Sequence, residues 1–201
     1  MKIVGLYEIA DGENIDARTV NAGIEVAPWQ GGRVTTTLGQ QDIKEYGNRS
    51  FAAFGLAQTL QVSPTLTLDA TVDGSRTLGG NDPVSDIINP AQPVASGGQV
   101  GQDGALFEDF TAVTLGAAYR KDRWSASVRG EYRDGEFADR KGVTFGAIRQ
   151  VGEGSVVGSG FTWTTAEGNT GTETEIFDAA LAWAHRPAAS EFAMLGKIEY
   201  R

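Results

Sequence analysis

The residues able to act as nucleophiles, ligands or fixed charges are few and unevenly placed in this 201-residue chain. It has no cysteine and one histidine, His185. Disulfides and cysteine–metal centres are therefore excluded, and a Ser-His-Asp or histidine–metal site would have to be built around a single position. His185 closes an alternating segment beside a short turn, so it reads as a rim residue, and neither a catalytic residue nor a cofactor nor a metal is assigned. Gly97, Gly98, Gly101 and Gly104 imitate a phosphate loop but lack its Lys-Ser/Thr ending, and read as a flexible loop. Asp82, Asp86, Asp103, Glu108 and Asp109 would offer oxygens to calcium, yet no EF-hand spacing is present, which favours a solvated acidic loop.

A more ordered chemistry lies in charges that recur at every second residue. Arg129, Glu131 and Arg133 share one parity with Ser125 and Ser127, while Trp124, Ala126, Val128, Gly130 and Tyr132 take the other. Asp69 and Asp73 alternate in the same way with Leu66, Leu68, Ala70 and Val72; Asp178 sits between Phe177 and Ala179; Lys197 and Glu199 separate Gly196, Ile198 and Tyr200. Period-two patterning is the signature of a strand with one apolar and one polar face. It predicts eleven strands, at about 2–9, 17–27, 33–42, 50–62, 65–75, 110–120, 123–133, 140–151, 155–165, 174–185 and 191–201, the first and third alternating poorly. Most approach the ~9 to 11 residues a tilted strand needs to cross a bilayer, against about five or six in soluble proteins.

Connections alternate in length. Tight turns are expected at 63–65, 121–122, 152–154 and 186–189, with a slightly longer one at 28–32. Longer polar stretches fall at 10–14, 43–49, 134–139 and 166–172, with a long extracellular or pore-folded loop at 76–109, whose Pro83, Pro90 and Pro93 argue against regular strand. Outer-membrane barrels show short periplasmic turns and longer outside loops. Turn lengths also suggest registers: Tyr119 opposite Trp124, Trp183 opposite Phe192 with Asp178 meeting Lys197, and Phe145 and Val143 opposite Phe161 and Trp163. Trp29, Tyr119, Trp124, Trp183 and Phe192 then lie near the short turns, and Tyr132, Trp163, Phe177 and Tyr200 near the long loops, as two interfacial aromatic bands.

Such an arrangement is an antiparallel, up-and-down transmembrane β-barrel of about 10 to 12 strands. Its lumen receives Arg120, Arg129, Glu131, Arg133, Asp69, Asp73, Asp178, Lys197 and Glu199, because charges facing lipid are costly. Arg120, Arg129 and Arg133 could form a positive ladder that sets ion selectivity, or the charges could pair across strands and stabilise the interior. Composition agrees with this class. A mean hydropathy of −0.24 is what two-faced strands average to, and no run of eighteen apolar residues offers a transmembrane helix. With 26 acidic against 17 basic residues, nucleic acid is not an expected partner. The aromatic and aliphatic content exceeds that of a disordered chain.

The stretches DGSRTLGGNDPVSDIINPAQPVASGG, LFEDFTAVTLGAAYRKDRWSASVRGEYRDGE and FAMLGKIEYR resemble the barrel region near the C-terminus of large Gram-negative outer-membrane surface proteins. The likeness covers residues 65 to 201. It implies a membrane anchor or channel in the bacterial outer membrane, with no active-site residues to carry over. No secretory signal opens the chain, since Glu8 and Asp11 interrupt the first apolar residues; a removed signal or an internal piece is expected. An odd strand count and a non-aromatic last residue suggest a segment of a larger barrel, completed by strands from the same or another chain. The expected partners are thus outer-membrane lipid, missing strands, and ions or small solutes in the lumen. The alternative is a soluble extracellular β-sandwich, an adhesin-like binding module.

Overall fold

The structure, a computed structural model, describes residues 1–11, 16–43, 47–80, 108–189 and 191–201. Among them all regular structure is strand: β1 (Lys2–Asp11), β2 (Asp16–Val26), β3 (Gly32–Ile43), β4 (Gly47–Ser63), β5 (Leu66–Gly80), β6 (Phe110–Lys121), β7 (Trp124–Gly135), β8 (Ala138–Gly152), β9 (Ser155–Gly168), β10 (Glu173–His185) and β11 (Met194–Tyr200). Each pairs antiparallel with its sequence neighbours, giving one up-and-down sheet in the order β1 to β11. The sheet is open: β1 and β11 are its two edges. Eleven strands are where alternation predicts them, because period two is specified by the sequence itself and needs no long-range information.

Among the described residues no second layer covers either face, as each strand touches only its neighbours in the order. One face nevertheless buries Arg49, Asp73, Ser75 and Ala112 completely. A single sheet buries one face by curling around it, which its right-handed twist allows, and Glu108 and Asp109 add cover at one rim; the arrangement is that of an unclosed up-and-down barrel wall. The convex face leaves large apolar side chains uncovered, with Leu115 63% and Ile198 61% exposed. Burial concentrates where β4, β6, β7, β8 and β9 meet the longer connections: Phe51, Ala53, Phe110, Ala112, Ala138 and Ala166 form the apolar part of that core.

Several local expectations are corrected. The connection expected at 134–139 shrinks to Glu136 and Phe137, because β7 and β8 both run on. Conversely, the tight turn at 186–189 becomes a connection spanning 186–193. Residues 76–80 of the expected long loop belong to β5, and Pro83, Pro90, Pro93 and the Gly97, Gly98, Gly101 and Gly104 cluster lie outside the described residues. The β6–β7 hairpin places Tyr119 opposite Ala126 and Lys121 opposite Trp124, two residues from the expected register. An even shift leaves every side chain on its expected face. The Tyr119 and Trp124 rings still meet diagonally, 4.6 Å apart.

In the last hairpin Trp183 lies opposite Gly196, not Phe192, and Leu181 opposite Ile198. The reason is steric. The Trp183 indole lies flat over Gly196, where a Cβ would come within 2.0 Å of the ring, so only a glycine can stand there. The β8–β9 hairpin has the expected pairs, Phe145 with Phe161 and Val143 with Trp163. Its turn carries Gly154 at φ +64°, a left-handed conformation suited to glycine.

Candidate functional site

The concave face is polar because its residues take the parity opposite to the apolar set, and β6 forms its floor. Ala112, Thr114, Gly116 and Ala118 point inward there, and their small size lets longer groups on β5 and β7 reach each other. Gly116 pairs with both Asp69 and Arg129. Arg129 Nη2 approaches Asp69 Oδ2 to 3.4 Å across it, through the space a Cβ would occupy, 2.4 Å from Asp69 Oδ1. This pair is half-open to solvent and stabilises little, on the scale of ~0–1 kcal/mol.

Nearer the long-connection rim the charges are buried. Arg133 Nη2 donates to the Glu108 carboxylate, with their side chains 1% and 8% exposed. The Arg133 guanidinium also stacks 3.9 Å above the Phe110 ring. Arg49 Nη2 bridges Asp109 Oδ1 at 2.9 Å, the Glu108 carbonyl at 3.1 Å and Ser75 Oγ at 3.2 Å, while its Nε donates to Thr77 Oγ1 at 2.7 Å. Asp109 Oδ1 in turn accepts the Thr77 backbone N–H at 2.6 Å. Arg140 is buried directly opposite Arg133, and Asp73 is buried on the other side, two strands away across Ala112. The result is an ion-paired belt linking β4 through β8 by way of Glu108 and Asp109.

The expected inward charges are therefore placed as follows. Asp69, Asp73, Arg129, Glu131 and Arg133 share the concave face of β5 and β7; Arg120 shares it too, near the short-turn rim and exposed. Glu131 stands between Arg129 and Arg133 on β7, so acid interrupts the run of arginines. Asp178 does not meet Lys197; its Oδ1 lies 3.5 Å from Arg201 Nε, and Lys197 pairs with Glu199 on its own strand. The four-residue register correction is the cause.

Sequence reasoning missed Arg49 and Arg140 as site residues. Arg49 was hidden in an expected loop, but carrying the parity of Phe51 and Ala53 back two residues would have found it. Of the acids weighed for calcium, Asp82, Asp86 and Asp103 lie outside the described residues, whereas Glu108 and Asp109 are engaged by arginine. Among the described residues no cluster of three metal-ligating side chains occurs. His185 lies opposite Ser155, its Nδ1 2.7 Å from the hydroxyl. Ser155 Oγ also donates to the Glu153 carbonyl at 3.3 Å, so the contact staples the β8–β9 turn to β10.

On the convex face, Phe145, Phe161, Phe177 and Tyr200 form a ladder across β8 to β11 with ring centroids 5.7, 6.3 and 6.0 Å apart. Trp163 donates to Glu175 Oε1 at 2.7 Å, and Trp29 to Gln58 Oε1 at 2.5 Å. Tyr132 and Trp124 are exposed on the same face of β7, and Phe192 is exposed just before β11.

No protein-family model and no curated sequence matches the chain. Among solved structures, one described under "Unveiling the Mechanism Behind the in-meso Crystallization of Membrane Proteins" is 14% identical at a TM-score of 0.31, covering 98% of this chain and 81% of its own. A loop L8 deletion mutant of OmpT, an outer membrane protein of Vibrio cholerae, is 9% identical at a TM-score of 0.38, covering 98% of this chain and 89% of its own. Similarities of this size carry no argument about activity. What the chain itself shows is an all-β, eleven-stranded, antiparallel up-and-down sheet with a charged concave face and an apolar convex one.

Proposed function

We propose that this chain is the wall of a transmembrane β-barrel in a bacterial outer membrane, acting as anchor, channel or translocation scaffold, as the barrel region of a larger surface protein. The observation that carries the reading is the uncovered convex face. Leu60, Leu68, Val72, Val113, Leu115, Val128 and Leu181 lie open on it, with no layer over them among the described residues. Water does not tolerate a continuous apolar surface of this extent, whereas hydrocarbon requires it. Aromatic residues toward both rims and strands of seven to seventeen residues suit the same environment. A sandwich module would need a second sheet packed on this face, and all described strands belong to one sheet.

Refolding into lipid vesicles tests the proposal. Membrane-inserted protein should show heat-dependent gel mobility and tryptophan quenching by lipid-phase quenchers. A soluble monomer without detergent or lipid overturns it. Planar-bilayer recording separates channel from anchor, and in the channel case Arg129→Glu should shift selectivity toward cations. Absence of conductance steps leaves the anchor role alone.

A further inference from the structure

We propose that the two open edges, β1 and β11, jointly receive one further β-strand that runs opposite to both and comes from polypeptide outside residues 1–201, not from each other and not from a second copy of this chain. The inference rests on the membrane reading above. Strand direction alternates without exception from β1 to β11, so both edges run from the short-turn rim to the long-connection rim. Direct closure would be parallel. Copies inserted in one membrane are related by rotation about its normal, which preserves strand direction, so β11 of one copy could meet β1 of the next only in parallel as well. A strand of opposite direction satisfies both edges at once with the better-aligned antiparallel ladder. In hydrocarbon an unfilled edge leaves a row of unsatisfied N–H and C=O groups.

The chemistry of the incoming strand can also be read. Its lipid-facing residues must be apolar to continue Ile3, Tyr7 and Ile9 on β1 and Met194, Ile198 and Tyr200 on β11, all exposed on the convex side. Its inward residues would normally be polar. Near the short-turn rim, however, both edges turn apolar groups inward: Val4 and Leu6 on β1, and Leu195, 84% exposed, on β11. The last turn of the incoming strand should therefore carry an apolar residue on its inner side too. Farther up, Glu8 and the Lys197–Glu199 pair make the inner side polar, so the incoming strand should be polar there as well.

The test places a photo-crosslinking amino acid at Tyr7 or at Ile198 in the protein as expressed in its own membrane. Heat-dependent mobility is followed in parallel to show insertion. The expected result is that both positions label the same segment from outside residues 1–201, with alternating apolar and polar residues. Leu195→Glu should abolish both adducts while insertion persists. An adduct joining β1 to β11, an adduct to any other segment within residues 1–201, an adduct between two copies, two different segments, or no adduct in inserted protein each overturns the inference. Failure of insertion itself refutes the membrane reading instead.

Discussion

Glu108 and Arg133 offer a quantitative test of the ion-paired belt. Removing one member of a buried pair strands the other charge in a medium that solvates it poorly, at a cost of roughly 3 to 5 kcal/mol. The two removals should differ. In Arg133→Met the thioether keeps packing on Phe110, and Glu108 still feels the positive charge of Arg140, which places this variant near the lower limit of about 3 kcal/mol. In Glu108→Gln, Arg133 and Arg140 remain directly opposite each other with their shared acid gone, which places it near the upper limit of about 5 kcal/mol. Replacing both partners with apolar groups, Arg133→Met with Glu108→Leu, removes both charges of the pair and leaves Arg140 with neither its shared acid nor the repulsion of a facing arginine. The double variant should lose less than either single change. Urea unfolding of vesicle-inserted protein, followed by tryptophan fluorescence, measures all three. If the single losses add in the double variant, or if all three match the parent within ~0.5 kcal/mol, a value typical of surface substitutions, the pair is not a buried, mutually dependent one.

Leu115→Lys, on the middle of the convex face, should cost about 2 to 4 kcal/mol in lipid; the same refolding assay reads it, and a neutral result argues against hydrocarbon on that side. Gly116→Val should separate Arg129 from Asp69 and force strain of about 1 to 3 kcal/mol, visible as a lower urea midpoint; conductance, if present, should change with it. Gly196→Val should unseat the Trp183 indole, giving a red-shifted emission and weaker heat resistance, whereas Gly130→Val, where a side chain would meet nothing within 4 Å, should leave both unchanged.

Strand number, direction and facing were legible in the sequence because they follow from parity alone. Trp124 to Tyr132 and Leu66 to Val72 declare their two faces residue by residue. Register was legible only where a glycine-bearing two-residue turn fixed it, as between β8 and β9. Between β10 and β11 the decisive contact was Trp183 against Gly196, a steric match that turn length does not reveal. The belt was half visible: Arg133 and Asp73 fell on the polar parity, but Arg49 lay beyond the apparent strand start. Glu108 and Asp109 looked like solvated loop acids because nothing local announces that arginines from β4 and β7 reach them.

Those same two acids fix the stem of the connection between β5 and β6. Gly80 closes one side of it on β5, while Glu108 and Asp109 are bolted to Arg133 and Arg49 on the other. Because Glu108 and Asp109 hold this end of the stem themselves, a splice between residues 80 and 108 that keeps both acids should leave those ion pairs in place. The entropic cost of a longer flexible insert grows only logarithmically, about 0.6 kcal/mol per doubling of length. With Glu108 and Asp109 left in place, this connection is accordingly the position at which the strands should best tolerate a foreign insert, read as an unchanged urea midpoint.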